Sequence, residues 1–171
     1  MKIYFTLVIF SCLALLGLCQ TAPAQSRTKT FVLVRHAEKE ATPPNDPDPD
    51  LSAAGRERAQ RLLKVVMRYK PHEIFSTNFK RTRNTVAPLA ARRKKEVQIY
   101  DAGKAADLVA KMMASKTDHH LIVGHSNTIP SVANLLAKKE IFRNLVEAEY
   151  GVIWVIRLRD GVLTKVEVLP Y

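Results

Sequence analysis

The chain has 171 residues, of which 47% are hydrophobic, and this is ordinary for one globular domain whose core needs no disulfide or metal to hold it. The formal net charge of +11, from 27 basic and 16 acidic residues, favours anionic partners such as phosphorylated small molecules, nucleic acid or acidic surfaces. The basic residues are scattered over several predicted helices with few aromatic residues among them. A groove that stacks nucleic-acid bases would interleave the two, so no nucleic-acid partner is expected.

The N-terminus has the pattern of a secretory signal peptide. Lys2 supplies a positive charge, residues 3–18 are uncharged and largely apolar, and residues 22–24 (Ala-Pro-Ala) form a small-x-small cleavage site. We therefore expect cleavage after Ala24, an exported protein in the periplasm or secreted, and a single mature domain over residues 25–171.

Two anchored alternatives are weaker. The apolar run is shorter than the roughly 20 residues of a membrane-spanning helix, so no stable membrane insertion is expected after cleavage. A lipid anchor at Cys19 would have to tolerate the bulky Leu18 before it. Because Cys12 and Cys19 are the only cysteines, the predicted mature chain has no disulfide, thiolate metal site or cysteine nucleophile, and it keeps 26 basic and 16 acidic residues.

Strand-like and helix-like segments alternate along the mature chain. The predicted strands are 30–35, 72–77, 96–100 and 119–124. The predicted helices are 51–70 with Ser52 as its N-cap, 79–93 with a kink at Pro88, 104–116 and 127–139. Residues 41–50 contain four prolines and three aspartates and predict an extended loop, either a substrate lid or an ordinary surface loop. Two further β-rich runs meet at Asp160-Gly161, a strong hairpin signal.

This alternation predicts the α/β class: a three-layer α/β/α sandwich with a mostly parallel central sheet and a C-terminal antiparallel hairpin. In such sheets, ligands bind outside the carboxyl ends of the strands. The side chains delivered there by the four predicted strands are Arg35 and His36; Ser76, Thr77, Asn78, Lys80 and Arg81; Asp101; and Gly124, His125, Ser126 and Asn127.

These residue types suit phosphoryl transfer. A neutral imidazole is a nucleophile toward phosphorus, and two arginines can bind the non-bridging oxygens through paired hydrogen bonds. Nearby cations disfavour the imidazolium form and hold the histidine neutral. A carboxylic acid would complete the set by protonating the leaving oxygen.

Four motifs, in order over residues 31–127, resemble those of the histidine phosphatase superfamily, the phosphoglycerate mutase-like proteins. The first is a strand ending in Arg-His-Gly/Ala. The second is Asp/Pro-Leu-Thr/Ser-x-x-Gly, the third is Ser-x-x-x-x-Arg-Ala/Thr-x-x-Thr, and the fourth is a strand followed by Gly-His-Gly/Ser. The matching segments are Val34-Arg35-His36-Ala37, Asp50-Leu51-Ser52-Ala53-Ala54-Gly55, Ser76 to Thr85, and Val123-Gly124-His125-Ser126.

The resemblance implies a role for each matching residue. His36 is the expected phosphorylated nucleophile, Arg35 and Arg81 bind the phosphoryl oxygens, and His125 donates a further hydrogen bond to them. Asn127, at the start of the last helix, is expected to assist in phosphate binding. No cofactor and no metal ion are expected.

The general acid is open at this stage. Family members of the mutase type carry a glutamate just after the third strand, and Asp101 stands at about that place without the rest of that motif. Asp101 is the leading candidate, and Glu38, Asp50 and Asp107 are the alternatives. A substrate with a good leaving group, such as an acyl or histidine phosphate, would need no acid.

The expected function is hydrolysis of phosphomonoesters or phosphohistidine by a metal-independent phosphatase acting on a phosphorylated small molecule or a phosphoprotein. Alternatives are an anion-binding pseudo-enzyme of the same fold, a mutase-like phosphotransferase, or, from charge alone, a nucleic-acid binder. His119 and His120 enter the fourth strand from its amino end, and we expect surface residues there rather than metal ligands. The sequence names neither the substrate nor an oligomeric state.

Overall fold

A computed structural model describes residues 26–41 and 46–171 of the chain. The predicted signal peptide, residues 1–24 with Cys12 and Cys19, therefore lies outside the described residues, as do residues 42–45 of the proline-rich loop. Within the two described ranges, no helix combines the length and apolar character needed to cross a membrane.

Six strands and four α-helices alternate in the predicted order. The strands are β1 (Thr28–Arg35), β2 (Glu73–Ser76), β3 (Val97–Ile99), β4 (His119–Gly124), β5 (Val152–Arg159) and β6 (Val162–Pro170). The helices are α1 (Ala53–Val66), which continues into a 3-10 turn at Met67–Tyr69, then α2 (Lys80–Arg93), α3 (Ala105–Ala114) and α4 (Thr128–Ala137). The hydroxyl of Ser52 caps α1 by accepting a hydrogen bond from the backbone N–H of Gly55 at 3.1 Å, as predicted.

The strands form one sheet in the order β3-β2-β4-β1-β5-β6. The first four are parallel to one another, and β5 and β6 are added antiparallel. The turn between β5 and β6 places Asp160 and Gly161 at φ angles of 51° and 77°, and positive φ at both central residues is what a type I′ hairpin requires. The predicted mixed sheet with a C-terminal hairpin is confirmed.

Helices cover both faces of the sheet, which gives the predicted three layers. Along β1, Phe31 and Leu33 pack with residues of α3 and α4, whereas Val32 and Val34 pack with residues of α1 and α2. Successive side chains of a strand point to opposite faces, so a central strand covered on both sides must be apolar at nearly every position. The continuous apolar run that ends at Arg35 is therefore explained by its place in the middle of the sheet.

The predicted surface location of His120 is wrong. Its side chain is fully buried, stacked on Phe31 with ring centroids 5.1 Å apart, and its Nδ1 lies 3.0 Å from a carboxylate oxygen of Glu73. β4 is a central strand, so even its second residue faces packed side chains. Burial lowers the pKa of His120 to about 4, although the charge of Glu73 opposes the shift.

A glycine in the second motif lets α1 approach the segment after β1. A Cβ atom at Gly55 would overlap the backbone carbonyl oxygen of Glu38, which already accepts a hydrogen bond of 2.9 Å from the N–H of Ser52. The same contact continues as a short antiparallel bridge between Lys39 and Leu51. The motif glycine therefore docks α1 against the chain immediately after the predicted nucleophile.

Candidate active site

The pairing of β1 with β4 brings the two motif histidines together. Arg35 and Gly124 are register partners, and the backbone N–H of His36 donates to the carbonyl of Gly124 at 2.9 Å. The imidazoles of His36 and His125 meet edge to face, with ring centroids 5.4 Å apart. Because both strands end at the same rim, segments almost 90 residues apart in sequence share one site.

His36 is held as a neutral imidazole with one nitrogen free. Its Nδ1 lies 2.7 Å from the carbonyl oxygen of Ala37, which can only accept, so Nδ1 carries the proton and Nε2 keeps its lone pair. The side chain is 5% exposed. Burial lowers the pKa of His36 to about 4, aided by His125, Arg35 and Arg81 and opposed by the Ala37 hydrogen bond. His36 is therefore available as an unprotonated nucleophile at neutral pH.

A threonine of the third motif fixes the backbone beside the nucleophile. The hydroxyl of Thr85 accepts a hydrogen bond of 2.9 Å from the N–H of Ala37 and donates one of 2.7 Å to the carbonyl of Arg81. One buried side chain thus links the turn after β1 to the first turn of α2. The motif spacing between Arg81 and Thr85 is one helical turn, which allows this link.

Arg35 is buried beneath the segment before β5. Its Nη1 donates to the carbonyl oxygens of Val146 and Glu147 at 2.8 and 3.0 Å, and its Nη2 donates to the Glu147 carboxylate at 2.7 Å. The ring of Tyr150 lies over the guanidinium, 4.2 Å from centroid to Cζ. The Nε atom of Arg35 is buried without a hydrogen-bond partner among the described residues.

Arg81, rather than the exposed Arg83, lies at the rim. Its guanidinium is 4.3 Å from the ring centroid of Phe79, and its Nη1 is 3.6 Å from a carboxylate oxygen of Asp48. That Nη1 is buried and makes no hydrogen bond within the described part of the chain. Burial lowers the pKa of Arg81, opposed by Asp48 and Glu147.

His125 is positioned by two threonines. Its Nε2 lies 2.9 Å from the hydroxyl of the buried Thr77, which is in turn 3.0 Å from the hydroxyl of Thr82. The ring also packs edge to face on Phe79, at 5.0 Å. Burial and then the charges of the two arginines lower the pKa of His125 to about 4. The glycine before it is needed for space, since a Cβ there would be 2.6 Å from the hydroxyl of Tyr100.

Asn127 stands at the N-cap of α4 and is exposed. Its side chain makes no capping bond, and its Oδ1 accepts a long hydrogen bond of 3.4 Å from the hydroxyl of Thr128. Among the described residues, its side chain forms no hydrogen bond with either arginine or either histidine of the site. Its role in phosphate binding stays a prediction.

Asp101, the leading candidate for the acid, lies after the edge strand β3. Its exposed carboxylate accepts a hydrogen bond of 2.9 Å from the backbone N–H of Gly103. In the sheet order, β2 stands between β3 and the strand that carries His125. Asp107 is exposed in the first turn of α3. In the described ranges neither carboxylate forms a hydrogen bond or ion pair with a predicted site residue.

The other two candidate acids already have structural partners. Both carboxylate oxygens of Glu38 accept hydrogen bonds from Arg58, at 2.5 to 2.8 Å, and this pairing outweighs burial and lowers the pKa of Glu38. Asp50 accepts from the side-chain amide of Asn84 at 2.6 Å, which lowers its pKa. Both carboxylates join structural elements, and in the described part of the chain neither forms a hydrogen bond or ion pair with the two histidines.

Two carboxylates that the sequence did not single out do contact the arginines of the site. Asp48 comes from the proline-rich loop and faces Arg81, and Glu147 precedes β5 and faces Arg35. Because β5 runs antiparallel to β1, its first residues lie at the same rim as the last residues of β1. The Asp160-Gly161 signal predicts a hairpin but not which strand of the sheet β5 pairs with. The sequence therefore gave no reason to expect a site residue just before β5.

The arrangement combines a neutral imidazole with the buried Arg35, the partly buried Arg81 and a second histidine, which suits attack on an anionic phosphorus centre. Across residues 26–41 and 46–171, no group of three or more histidine, cysteine, aspartate or glutamate side chains has the arrangement of a metal site.

Comparison with known proteins agrees with this description. Residues 31–103 match the family model of the histidine phosphatase superfamily (branch 1), a range that contains Arg35, His36 and Arg81. No curated protein sequence matches the chain significantly.

Solved structures share the fold at low sequence identity. A mycobacterial glucosyl-3-phosphoglycerate phosphatase superposes with a TM-score of 0.68 at 15% identity, covering 85% of this chain and 99% of that one. The protein histidine phosphatase SixA in complex with tungstate gives 0.66 at 14%, covering 82% and 96%. Mycobacterial hydrolase 1 gives 0.65 at 16%, covering 85% and 99%. With the four ordered motifs and the shared fold, the match over residues 31–103 shows that the chain is similar to the histidine phosphatase superfamily, branch 1.

Proposed function

We propose that the protein is a metal-independent phosphatase that hydrolyses phosphomonoesters or phosphohistidine through a covalent phosphohistidine on His36. The observation that carries the proposal is the state of this imidazole. Nδ1 is committed to the Ala37 carbonyl, Nε2 makes no hydrogen bond within the described residues, and the charges of Arg35 and Arg81 act on the ring. Such a group can attack phosphorus directly and needs no base to activate it.

The two arginines would bind the transferred phosphoryl group. Arg35 Nε and Arg81 Nη1 are buried donors that lack a partner in the part of the chain described, and phosphoryl oxygens would satisfy them. His125 would add a further donor to the same oxygens. Most catalysis of phosphoryl transfer is positioning and charge stabilisation, which is what these side chains supply.

The reaction would proceed in two displacements. Nε2 of His36 attacks phosphorus as the bond to the leaving oxygen breaks, and water then attacks the phosphohistidine to release inorganic phosphate. An alcohol leaving group takes up one proton in the first step, and the water gives one up in the second. A single carboxyl group can serve as acid and then as base.

The substrate would be a phosphorylated small molecule or a phosphoprotein. Two neighbours of the same fold are a glucosyl-3-phosphoglycerate phosphatase and a protein histidine phosphatase, and both act on phosphorylated substrates. We propose hydrolysis over mutase-like transfer because residues 1–24 predict export, away from the phosphorylated metabolites of the cytoplasm. The mass of the N-terminal peptide recovered from the exported fraction would test cleavage after Ala24.

The competing reading is a pseudo-enzyme that binds phosphate in the same pocket. It is favoured by the fact that, within the described residues, none of the four acids predicted from the sequence forms a hydrogen bond or ion pair with the histidines. Both readings expect inorganic phosphate to bind, and only the phosphatase turns substrate over.

The test is hydrolysis of an aryl phosphate by the mature protein in the presence of EDTA. We expect turnover in the wild type, loss in His36→Ala, and retention in His72→Ala, a matched change at an exposed histidine outside the site. Acid quenching is unsuitable because phosphohistidine is acid-labile. The phosphoenzyme is therefore detected by mass spectrometry of the intact protein kept at alkaline pH. Phosphate binding without turnover in the wild type would support the pseudo-enzyme, and turnover that survives His36→Ala would remove His36 as the nucleophile.

A further inference from the structure

Glu147 places a carboxylate at the site from a direction that the motifs do not cover. It lies between α4 and β5, where one of its oxygens accepts a hydrogen bond of 2.7 Å from Arg35 Nη2 and the other accepts one of 3.0 Å from the hydroxyl of Tyr150. Lys39 approaches the same carboxylate at 3.7 Å. Its negative charge also acts on Arg81, so it lies near both predicted phosphoryl clamps.

His36 and Glu147 differ greatly in exposed fraction, and this difference defines a buried side and a solvent-facing side of the site. His36 is 5% exposed, whereas the Glu147 side chain is 69% exposed. In phosphoryl transfer the attacking and leaving atoms lie roughly in line on opposite sides of phosphorus. A nucleophile on the buried side therefore directs the leaving oxygen toward solvent, which is the side on which Glu147 stands.

We propose that Glu147 is the acid–base residue of this site. The inference rests on the proposed phosphatase function and replaces Asp101 in the role that the sequence left open. Among the described residues, the carboxylates paired with the two arginines are those of Glu147 and Asp48. Asp48 also accepts a hydrogen bond of 2.9 Å from the N–H of Lys80, the first residue of α2, which holds it in place.

The proton balance follows from this assignment. Protonated Glu147 gives its proton to the leaving oxygen as the phosphorus–oxygen bond breaks and the bond from Nε2 of His36 forms. The alcohol departs and leaves Glu147 ionised. Water then attacks phosphorus, transfers a proton to the Glu147 carboxylate, and breaks the phosphorus–nitrogen bond. Phosphate leaves, and both residues return to their starting states.

Substrate binding would prepare Glu147 for this role. Partial burial acts to raise its pKa, but hydrogen bonds from Arg35 and Tyr150 and the charges of Arg35 and Lys39 outweigh it, so the pKa of Glu147 is lowered. A phosphate ester that takes the Arg35 donors would remove the main group that favours the ionised form. Its own negative charge, placed beside the carboxylate, would raise the Glu147 pKa further.

The test compares leaving groups in Glu147→Gln. For an alkyl phosphate, whose leaving oxygen needs a proton, we expect kcat/KM to fall on the order of 100-fold or more. For dinitrophenyl phosphate, which leaves as a stable anion, we expect kcat/KM to change by no more than about threefold, because its departure needs no general acid. With that substrate the loss of the base should appear as accumulation of phosphorylated His36. Glu57→Gln, a matched change at an exposed site on α1, is the control.

The outcomes separate the two proposals. An equal loss for both substrates would mean that Glu147 only orients Arg35, and higher activity in the variant would mean that it competes with substrate; either result overturns the assignment. A leaving-group-dependent loss in Asp101→Asn instead would overturn it in favour of Asp101. A wild type inactive on both substrates would overturn the phosphatase function itself. Urea unfolding that matches the wild type would verify that Glu147→Gln is folded, and inorganic phosphate should still inhibit it.

Discussion

Replacing His36 with asparagine should make the protein less sensitive to acid. In the folded state the pKa of His36 is about 4, against an ordinary value of 6.5 that applies to the unfolded chain. The folded state therefore binds fewer protons than the unfolded state below pH 6.5. The stability associated with neutral His36 is fully present above that pH and is lost as the pH falls toward 4.

The size of this effect follows from the two pKa values. The shift corresponds to about 3 kcal/mol when complete, and to about 2 kcal/mol at pH 5, where the unfolded imidazole is mostly charged and the folded one is not. Asparagine at position 36 does not titrate. Between about pH 7.5 and 5, the variant should therefore lose about 2 kcal/mol less unfolding free energy than the wild type.

Urea unfolding of both proteins at the two pH values measures this difference. The carboxylates are common to the two proteins, so their contributions cancel when the losses are subtracted. The absolute stability of the variant does not enter, because only the change with pH is compared. Equal losses in the wild type and in His36→Asn would show that His36 is not held neutral by its surroundings, and would remove the physical basis of the proposed nucleophile.

The same shift has a kinetic consequence. At pH 5.5 an imidazole with a pKa of 6.5 would be only about one tenth neutral, whereas one with a pKa of about 4 is more than nine-tenths neutral. If His36 is the nucleophile, kcat/KM for an activated aryl phosphate should keep most of its value at pH 5.5. A nearly tenfold fall governed by a free-enzyme group of pKa near 6.5 would contradict this.

Two other substitutions test the structural contacts of the site. Gly55→Ala should lower the unfolding free energy, measured by urea unfolding, by about 1–3 kcal/mol because the new Cβ overlaps the Glu38 carbonyl, despite the better helix propensity of alanine. The control is Gly103→Ala, where a Cβ meets one side-chain oxygen at 3.4 Å. Its unfolding free energy should stay within about 0.5 kcal/mol of the wild type. Thr77→Val should lower kcat/KM by about tenfold, since it removes one hydrogen bond to His125, while Thr77→Ser should keep it; equal activity of the two variants would show that the hydroxyl does not position the histidine.

The fold was predictable because its signals are local and repeated. Alternating strands and helices indicate a parallel sheet with helices on both faces, and Asp160-Gly161 indicates a hairpin. The convergence of Arg35, His36 and His125 then follows from the parallel direction of β1 and β4, without any knowledge of side-chain packing. The order of the strands along the chain was enough to predict that these residues meet, because the carboxyl ends of parallel strands lie at the same rim of the sheet.

The carboxylates that pair with Arg35 and Arg81 were not predictable in this way, because their positions depend on pairings between distant segments. Asp101 follows a strand, as the glutamate of the mutase-type family members does, but that strand is at the edge of the sheet. Glu147 lies in an irregular segment whose place is fixed by the pairing of β5 with β1. The burial of His120 was missed for a related reason: a polar pair at the start of β4 indicates an exposed end only if the neighbouring strands do not extend past it.

The proline-rich loop places the negative charge of Asp48 at the site. Asp48 faces Arg81 on one side of the site as Glu147 faces Arg35 on the other, so each cationic clamp has a carboxylate nearby before substrate binds. The guanidinium groups of the buried Arg35 and the partly buried Arg81 would be unfavourable in one site without such compensation, because like charges in a poorly solvated site repel. Under the proposed function, a substrate takes some of the Arg35 and Arg81 donors that now face these carboxylates, and a phosphate dianion would compensate the two cations better than a singly charged anion. Under the proposed function, the acidity of this loop is consistent with a role in selecting a doubly charged ligand.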